Sequence, residues 1–263
     1  MSILSFFRKK RVLPAADPPE AFCVILTRRE EPPDDDTLRK ALPATFRLED
    51  SSDRGSTRMW TLKVPFVERA AMAFVRQPVP NGEAEAAAET PLWPDGPAAA
   101  KHRSHVAVAC KAAQGDAIDS ALLLTAIVRS LLAAFDGTAV YWRAGAVTVP
   151  GQRFDFVAAF ATREQLPLEL WCGFHLFRVD DGHGGLRTIG MRQFGAMEIE
   201  VERSSWKPRE LFDFARKVAN YVLTSGAVIK DGDTIGKDAE QKIAVHRGRS
   251  KFADCEVYKI LTP

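Results

Sequence analysis

The tightest constraint in the chain lies in residues 186–260, where the hydrophobic period switches from two to about 3.6 and back again. Met197, Ile199 and Val201 alternate with Glu198, Glu200 and Glu202, which predicts a strand with an apolar face and a carboxylate face. Pro208 then opens a helix in which Leu211, Phe214, Ala215, Val218, Tyr221 and Val222 line one side. Arg209, Glu210, Asp213, Arg216 and Lys217 fall largely opposite, and Gly226 is the expected stop. Further strands are expected at 168–179, 186–193, 242–246 and 256–261, with a hairpin loop at 180–185 and an acidic turn at Asp231-Gly232-Asp233. A half-apolar strand and a half-apolar helix must cover one another, so this third of the chain reads as an α+β unit.

Upstream, strands are expected at 22–26, 60–64, 70–75, 105–110, 139–143 and 154–160. Asp34, Asp35 and Asp36 suit the N-terminus of a short helix that Pro43 ends. Asp116 can cap a longer helix with Asp119 in its first turn; that helix is apolar nearly all round, which predicts burial on more than one side. The order strand–helix–strand occurs twice, so the expected fold class is α+β, with antiparallel or mixed sheets, helices packed on them, and duplicated α/β-plait-like units. The expected division is a basic N-terminal tail at 1–19, a first α/β unit at 20–77, a Pro/Ala-rich connection at 78–101, a second α/β unit at 102–160 and a C-terminal α+β unit at 161–263. Trp93 interrupts the connection and is expected to be docked, because an indole is costly to leave in water.

Composition narrows the function. The 263 residues carry a net charge of +2 and only short basic clusters, which argues against nucleic-acid binding. Phe6 and Phe7 precede Arg8, Lys9, Lys10 and Arg11, the reverse of a signal peptide's order; a membrane tether of this kind needs a second signal, and a solvated tail is the expectation. Cys23, Cys110, Cys172 and Cys255 share no metal-ligand spacing and are expected reduced and mutually distant, as in a cytosolic protein.

Each chemical constellation has a structural rival. Glu198, Glu200 and Glu202 on one strand face could hold a hard cation or raise one another's pKa, but such a face more often is solvated or lies over basic side chains such as Arg209 or Lys217. Asp231 and Asp233 begin like a calcium loop, yet the twelfth position is Lys242, where a glutamate is required, so a turn is expected. His102 and His105 have zinc-like spacing without a third ligand, and His105 and His175 are expected as hydrogen-bonded structural residues. The glycines around His183 lack a phosphate loop's context. Trp142, Trp171 and Tyr141 suit a core, whereas Trp206, beside Ser204, Ser205 and Lys207, is expected nearer solvent.

The ordered combination of Thr188 to Gly195, the acidic strand at 197–201, the helix through Asn220 and Tyr221, and Lys230 to Gly236 resembles an uncharacterised bacterial family, domain of unknown function 4261. The region holding Trp93, the strand from His105 and Val140 to Trp142 is similar to what precedes that domain in such proteins. The resemblance implies a cytosolic bacterial protein and carries over no catalytic residue. Families of this kind are often encoded beside toxins, which makes an immunity or antitoxin-like role an associational expectation. The expected function is therefore a non-enzymatic protein-binding module without cofactor or metal, its partner toxin-like, with Trp206, Asp213 and Lys217 as interface candidates. The alternative is a metal-assisted hydrolase using His105, Glu198, Glu200, Asp231 and Asp233.

Overall fold

The computed structural model describes residues 20–236 and 242–262, so the basic N-terminal tail lies outside the described residues. The chain divides into two compact units, one within Ala16–Trp171 and one within Cys172–Pro263.

The first unit is built on a seven-stranded sheet ordered β2-β3-β4-β5-β1-β6-β7, with every neighbouring pair antiparallel. Its strands are β1 (Ala21–Thr27), β2 (Arg47–Arg54), β3 (Thr57–Lys63), β4 (Val67–Val75), β5 (Ser104–Ala112), β6 (Gly137–Trp142) and β7 (Val147–Pro150). The strands expected in separate first and second α/β units are thus interleaved: β5 sits between β4 and β1 in one sheet. On β5 the side chains of Val106, Val108 and Cys110 are fully buried, with Val106 opposite Ile25 and Phe74, and Val108 opposite Cys23 and Met72. Phe135 closes this face, edge-on to Trp60 (6.2 Å, 71°) and stacked on Phe74 (6.3 Å, 17°).

Helix α1 (Asp35–Ala41) starts as its acids predict, Asp34 Oδ1 accepting from Thr37 N–H at 2.7 Å. Asp35 reaches instead to β3, where Trp60 Nε1 and Arg58 Nη2 both donate to its Oδ1 at 2.9 Å. Helix α4 (Ala117–Leu131) carries a reciprocal capping box: Asp116 accepts from Ile118 and Asp119 N–H, and Asp119 accepts from Asp116 N–H. The expected connection at 78–101 is folded, with short helices α2 (Glu83–Ala86) and α3 (Gly96–Ala99). Ala84, Ala88 and Ala100 pack there against Val24, Leu26, Ala139 and Tyr141, on the sheet face opposite Phe135. Trp93 within it is half-buried, its indole nitrogen shielded from solvent.

Two strand expectations fail here. Residues 154–160, read as a strand from their aromatics, lie in and just past helix α5 (Gly151–Ala158), where Phe156 and Phe160 meet one turn apart at 5.5 Å. The apolar run 168–179 is split: α6 (Leu168–Trp171) ends in the first unit, where Trp171 Nε1 donates to Thr125 Oγ1 at 2.9 Å, and only then does β8 (Gly173–Asp180) begin.

The second unit is a mixed six-stranded sheet ordered β11-β12-β13-β10-β9-β8. It is formed by β8, β9 (His183–Ile189), β10 (Glu198–Ser204), β11 (Thr234–Ile235), β12 (Ile243–Arg249) and β13 (Glu256–Ile260). Among the described strands only β10 and β13 pair in parallel, which needs a long crossover, supplied in part by α7 (Pro208–Ser225). Leu211, Phe214, Ala215, Val218 and Val222 on α7 are buried as the periodicity predicts, and Gly226 ends it in the left-handed region at φ 63°. Tyr221 is only half-buried. Phe212 meets Phe174 of β8 edge-on at 5.1 Å.

All four cysteines are free thiols, and Cys23, Cys110 and Cys172 are buried. They are not all mutually distant: Cys110 pairs with Ala21, two residues from Cys23 on the neighbouring strand. Burial raises both thiols, Cys110 to about 12, so neither is a nucleophile at neutral pH.

Candidate functional site

The three carboxylates of β10 do share a face, and each is committed to the fold. Glu198 is 8% exposed. Its Oε1 accepts from Gly190 N–H (2.9 Å) and Arg192 N–H (3.2 Å), and its Oε2 from Thr188 Oγ1 (2.7 Å). It therefore satisfies the free N–H groups that open the short 3₁₀ turn Met191–Phe194. Glu200 is 3% exposed and accepts from Ser250 Oγ and, at 3.4 Å, from Lys251 N–H. Ser250 Oγ in turn accepts from Phe252 and Ala253 N–H, so Glu200 holds the β12–β13 loop on the sheet. Phe252 there packs on Phe177 (5.2 Å) and under the Arg187 guanidinium (4.7 Å). Gly185 makes room for this stack, since a Cβ would lie 2.3 Å from Phe177 Cζ and 2.8 Å from the Val201 carbonyl oxygen.

Glu202, at the solvent end, is bridged by Lys251 Nζ (2.5 Å) and Lys259 Nζ (2.7 Å), and these ammonium groups hold its carboxyl below the usual range. The basic partners of this face are thus Lys251 and Lys259. Arg209, named from the sequence for that role, pairs with Asp213 at 3.0 Å instead.

Asp231 and Asp233 make a turn braced against β12. Asp231 Oδ1 accepts from Arg247 N–H at 2.8 Å, the main cause of its lowered pKa, with His246 Nδ1 at 3.4 Å. Asp233 Oδ2 accepts from Lys230 N–H at 2.7 Å, and Gly232 takes φ 81° between them. Among the described residues these acids share no hydrogen-bond partner with Glu198 or Glu200. His105 belongs to the first unit, its Nδ1 donating to the Gln77 carbonyl at 2.7 Å, and burial lowers its pKa. Within the second unit, then, Glu198, Glu200, Asp231 and Asp233 are not joined in one hydrogen-bonded cluster among the described residues. His102 is wholly enclosed, donating from Nδ1 to the Ala100 carbonyl and accepting Val79 N–H on Nε2, so neither ring nitrogen is free to ligate. His175 departs from expectation: its Nε2 is enclosed without a hydrogen-bond partner, and burial, then Arg187, lower its pKa. Among the described residues no group of three or more His, Cys, Asp and Glu side chains is placed to hold a metal ion.

An open feature lies elsewhere, on the outer side of α4. A hollow of about 660 Å³ is walled by Phe66, Ala113, Gln114, Asp119, Leu122, Leu123 and Ala126. A second of about 530 Å³ adjoins it, lined among others by Pro43, Arg129, Asp155 and Ala158, and both share Leu122 and Ala126. They form one trough along the helix. The apolar excess of α4 predicts burial on more than one side, and the helix does pack on β5 and β1 and against α5 and α1; beyond that, Leu122 and Leu123 are half-buried and Ala126 is exposed, so the remainder lines an open surface. Phe66, at the rim, is 84% exposed and has a positive φ of 63°, which no apolar pattern announces.

Residues 187–261 match the profile of a family described as Domain of unknown function (DUF4261). No curated protein and no solved structure matches the chain. The DUF4261 match begins inside β9 and runs just past β13, so it holds the carboxylate face, α7 and the acidic turn. It leaves out β8 and the α4 trough.

Within and beside the DUF4261 segment, the sequence-named interface residues are modestly placed. Trp206 is half-buried, edge-on to Phe214 at 5.1 Å, rather than free in solvent. Asp213 pairs with Arg209, and Lys217 is exposed. A cluster that sequence reading passed over closes the β8–β9 hairpin. His183 Nδ1 lies 2.6 Å from Asp180 Oδ1, and Arg203 pairs with the other oxygen. The His183 hydrogen bond, ahead of Arg203, lowers the Asp180 pKa. Its signal was the Asp-x-x-His spacing across the turn, which hairpin chemistry alone already explains. No described helix is long and apolar enough to cross a membrane.

Proposed function

We propose that the chain is a non-enzymatic protein-binding module of the cytoplasm, with an immunity or antitoxin-like role toward a toxin as the specific case. The observation that carries this reading is the apolar trough along α4, an uncommitted surface of the kind that partners cover. It is supported by the way Glu198, Glu200, Glu202, Asp231 and Asp233 are each engaged by the fold's own donors. Binding and catalysis separate in one set of measurements. The full chain is titrated calorimetrically against the products of flanking toxin-like reading frames, with growth rescue scored on co-expression. A stoichiometric complex together with rescue supports the module. Turnover of phosphodiester, ester or peptide substrates that Glu200→Gln removes without lowering thermal stability would overturn it in favour of the hydrolase.

A further inference from the structure

We infer that the α4 trough is a docking groove for an amphipathic helix of a partner protein, with Phe66 as its anchor; this rests on the binding-module reading and gives it a site and a partner chemistry.

Phe66 is the independent observation. It follows Pro65 in the turn from β3 to β4, closed by Val67 N–H donating to the Val64 carbonyl at 3.3 Å. Its positive φ of 63° is the conformation that such a turn assigns to glycine, and a bulky aromatic adopts it only under strain. The strain gains no burial, since the residue is 84% exposed. Its carbonyl accepts from Ala113 N–H at 2.9 Å, so the backbone is fixed while the ring is held out over the trough. A strained, exposed aromatic on a hydrogen-bonded turn beside an apolar hollow has the character of an interface anchor.

The walls select the occupant. The trough is floored by side chains of α4, not by an open strand edge, so an added strand would find no backbone partners; a helix brings its own hydrogen bonds satisfied. From Asp119 to Ser130 the floor runs about 16 Å at a helical rise, close to three turns. Leu122, Leu123 and Ala126 call for an apolar stripe at i, i+3, i+4 and i+7. The charges orient it. At the Phe66 end Asp116 and Asp119 both pair with Arg163, at 2.5 and 3.0 Å. The negative charge left over exceeds the roughly half-unit positive charge of the helix N-terminus. At the other end Arg129 and Asp155 neutralise one another at 2.9 Å. The docked helix therefore places a lysine or arginine over Asp119.

The probe is a labelled model peptide of about four helical turns with a leucine stripe and one lysine-bearing end, measured by fluorescence anisotropy against the full chain. A second peptide has the same composition in scrambled order. Saturable binding of the striped peptide alone is expected, weakening with salt. Phe66→Gly should weaken it about thirty-fold, the loss of a hot-spot side chain, while leaving the thermal midpoint unchanged or higher because glycine relieves the turn. Ala126→Arg, at an exposed helical position, should block the floor and abolish binding. Equal binding of both peptides, indifference to both variants, or a thermal midpoint lowered by Phe66→Gly would each overturn the inference. So would self-association in sedimentation that Phe66→Gly removes, since the groove would then belong to a second copy. A flanking toxin-like product that binds wild type and both variants alike removes the groove and leaves the module standing. Peptide binding in the absence of any flanking partner removes the immunity role and leaves the groove.

Discussion

The carboxylate face of β10 and the outer face of α4 invert what their compositions suggest. The first has the residue types of an active site, yet a 3₁₀ turn, a hairpin loop and two lysines engage its three carboxylates. The second has the composition of a core helix, yet Leu122, Leu123 and Ala126 border an open trough. Polar groups buried in a sheet must be satisfied locally, so a dense set of charges tends toward architecture unless something is left over. Apolar side chains have no such demand, and their surplus over what the core can cover is where a free surface arises.

The strongest way to break the comparison is to put a charge into the packed face of α7. Val218 is buried, and Val218→Asp would set an unpaired carboxylate in that contact, costing about 4 kcal/mol or more. Loss of the cooperative urea transition of the second unit is the expected result. Tolerance would show that the face is not packed as described.

Next is Glu198. Glu198→Ala removes the acceptor of Gly190, Arg192 and Thr188 together, and should cost about 2–4 kcal/mol in urea unfolding. Glu198→Gln keeps one oxygen for both backbone donors and should cost well under half of that. If the carboxylate were there for chemistry, the ranking would invert in the functional readout: Gln would fold normally and lose activity.

A smaller effect comes with pH. Burial depresses the folded-state pKa of His105 and His175 from the ordinary 6.5. Both are neutral and the fold has their full contribution above that value. As pH falls below it the unfolded chain binds protons that the folded chain refuses, so stability declines until the pH passes the lower folded values. Urea midpoints taken downward from neutrality should fall in this window. The slope should flatten in His175→Gln, and a midpoint that rises on acidification would contradict the enclosed, unpartnered Nε2.

What could be read in advance follows the same division. The capping box of Asp116 and Asp119, the buried stripe of α7 and the central position of β5 were legible because local chemistry and tertiary packing agree there. β2 was invisible: its residues are almost all exposed, so pairing with β3 leaves no alternation in the sequence. The run 168–179 looked like one strand because a continuous apolar stretch does not distinguish a buried helix turn from a strand, and the break falls at Cys172. At 154–160 the rings favoured a strand, but only Phe154 is buried, and Phe156 and Phe160 pair at helical spacing. The trough needed the third dimension, because periodicity counts the apolar residues of α4 without saying how many the sheet can cover.

The smallest effect compares the outer faces of two helices. On α7 that face is charged, with Arg209 and Asp213 paired one turn apart at 3.0 Å and Lys217 exposed. Exposed pairs of this geometry contribute a few tenths of a kcal/mol, because water screens them and two long side chains must be ordered. Asp213→Ala and Lys217→Ala should therefore each shift stability by less than about 0.5 kcal/mol. Both should also leave partner binding untouched, in contrast to Ala126→Arg on α4, where the perturbed surface is apolar and recessed. The decisive measurement is a paired one, thermal midpoint and partner affinity on the same variants. If Lys217→Ala or Asp213→Ala abolishes binding while the midpoint holds, the partner sits on the charged face of α7 inside the DUF4261 match. The apolar surplus of α4 would then need another explanation.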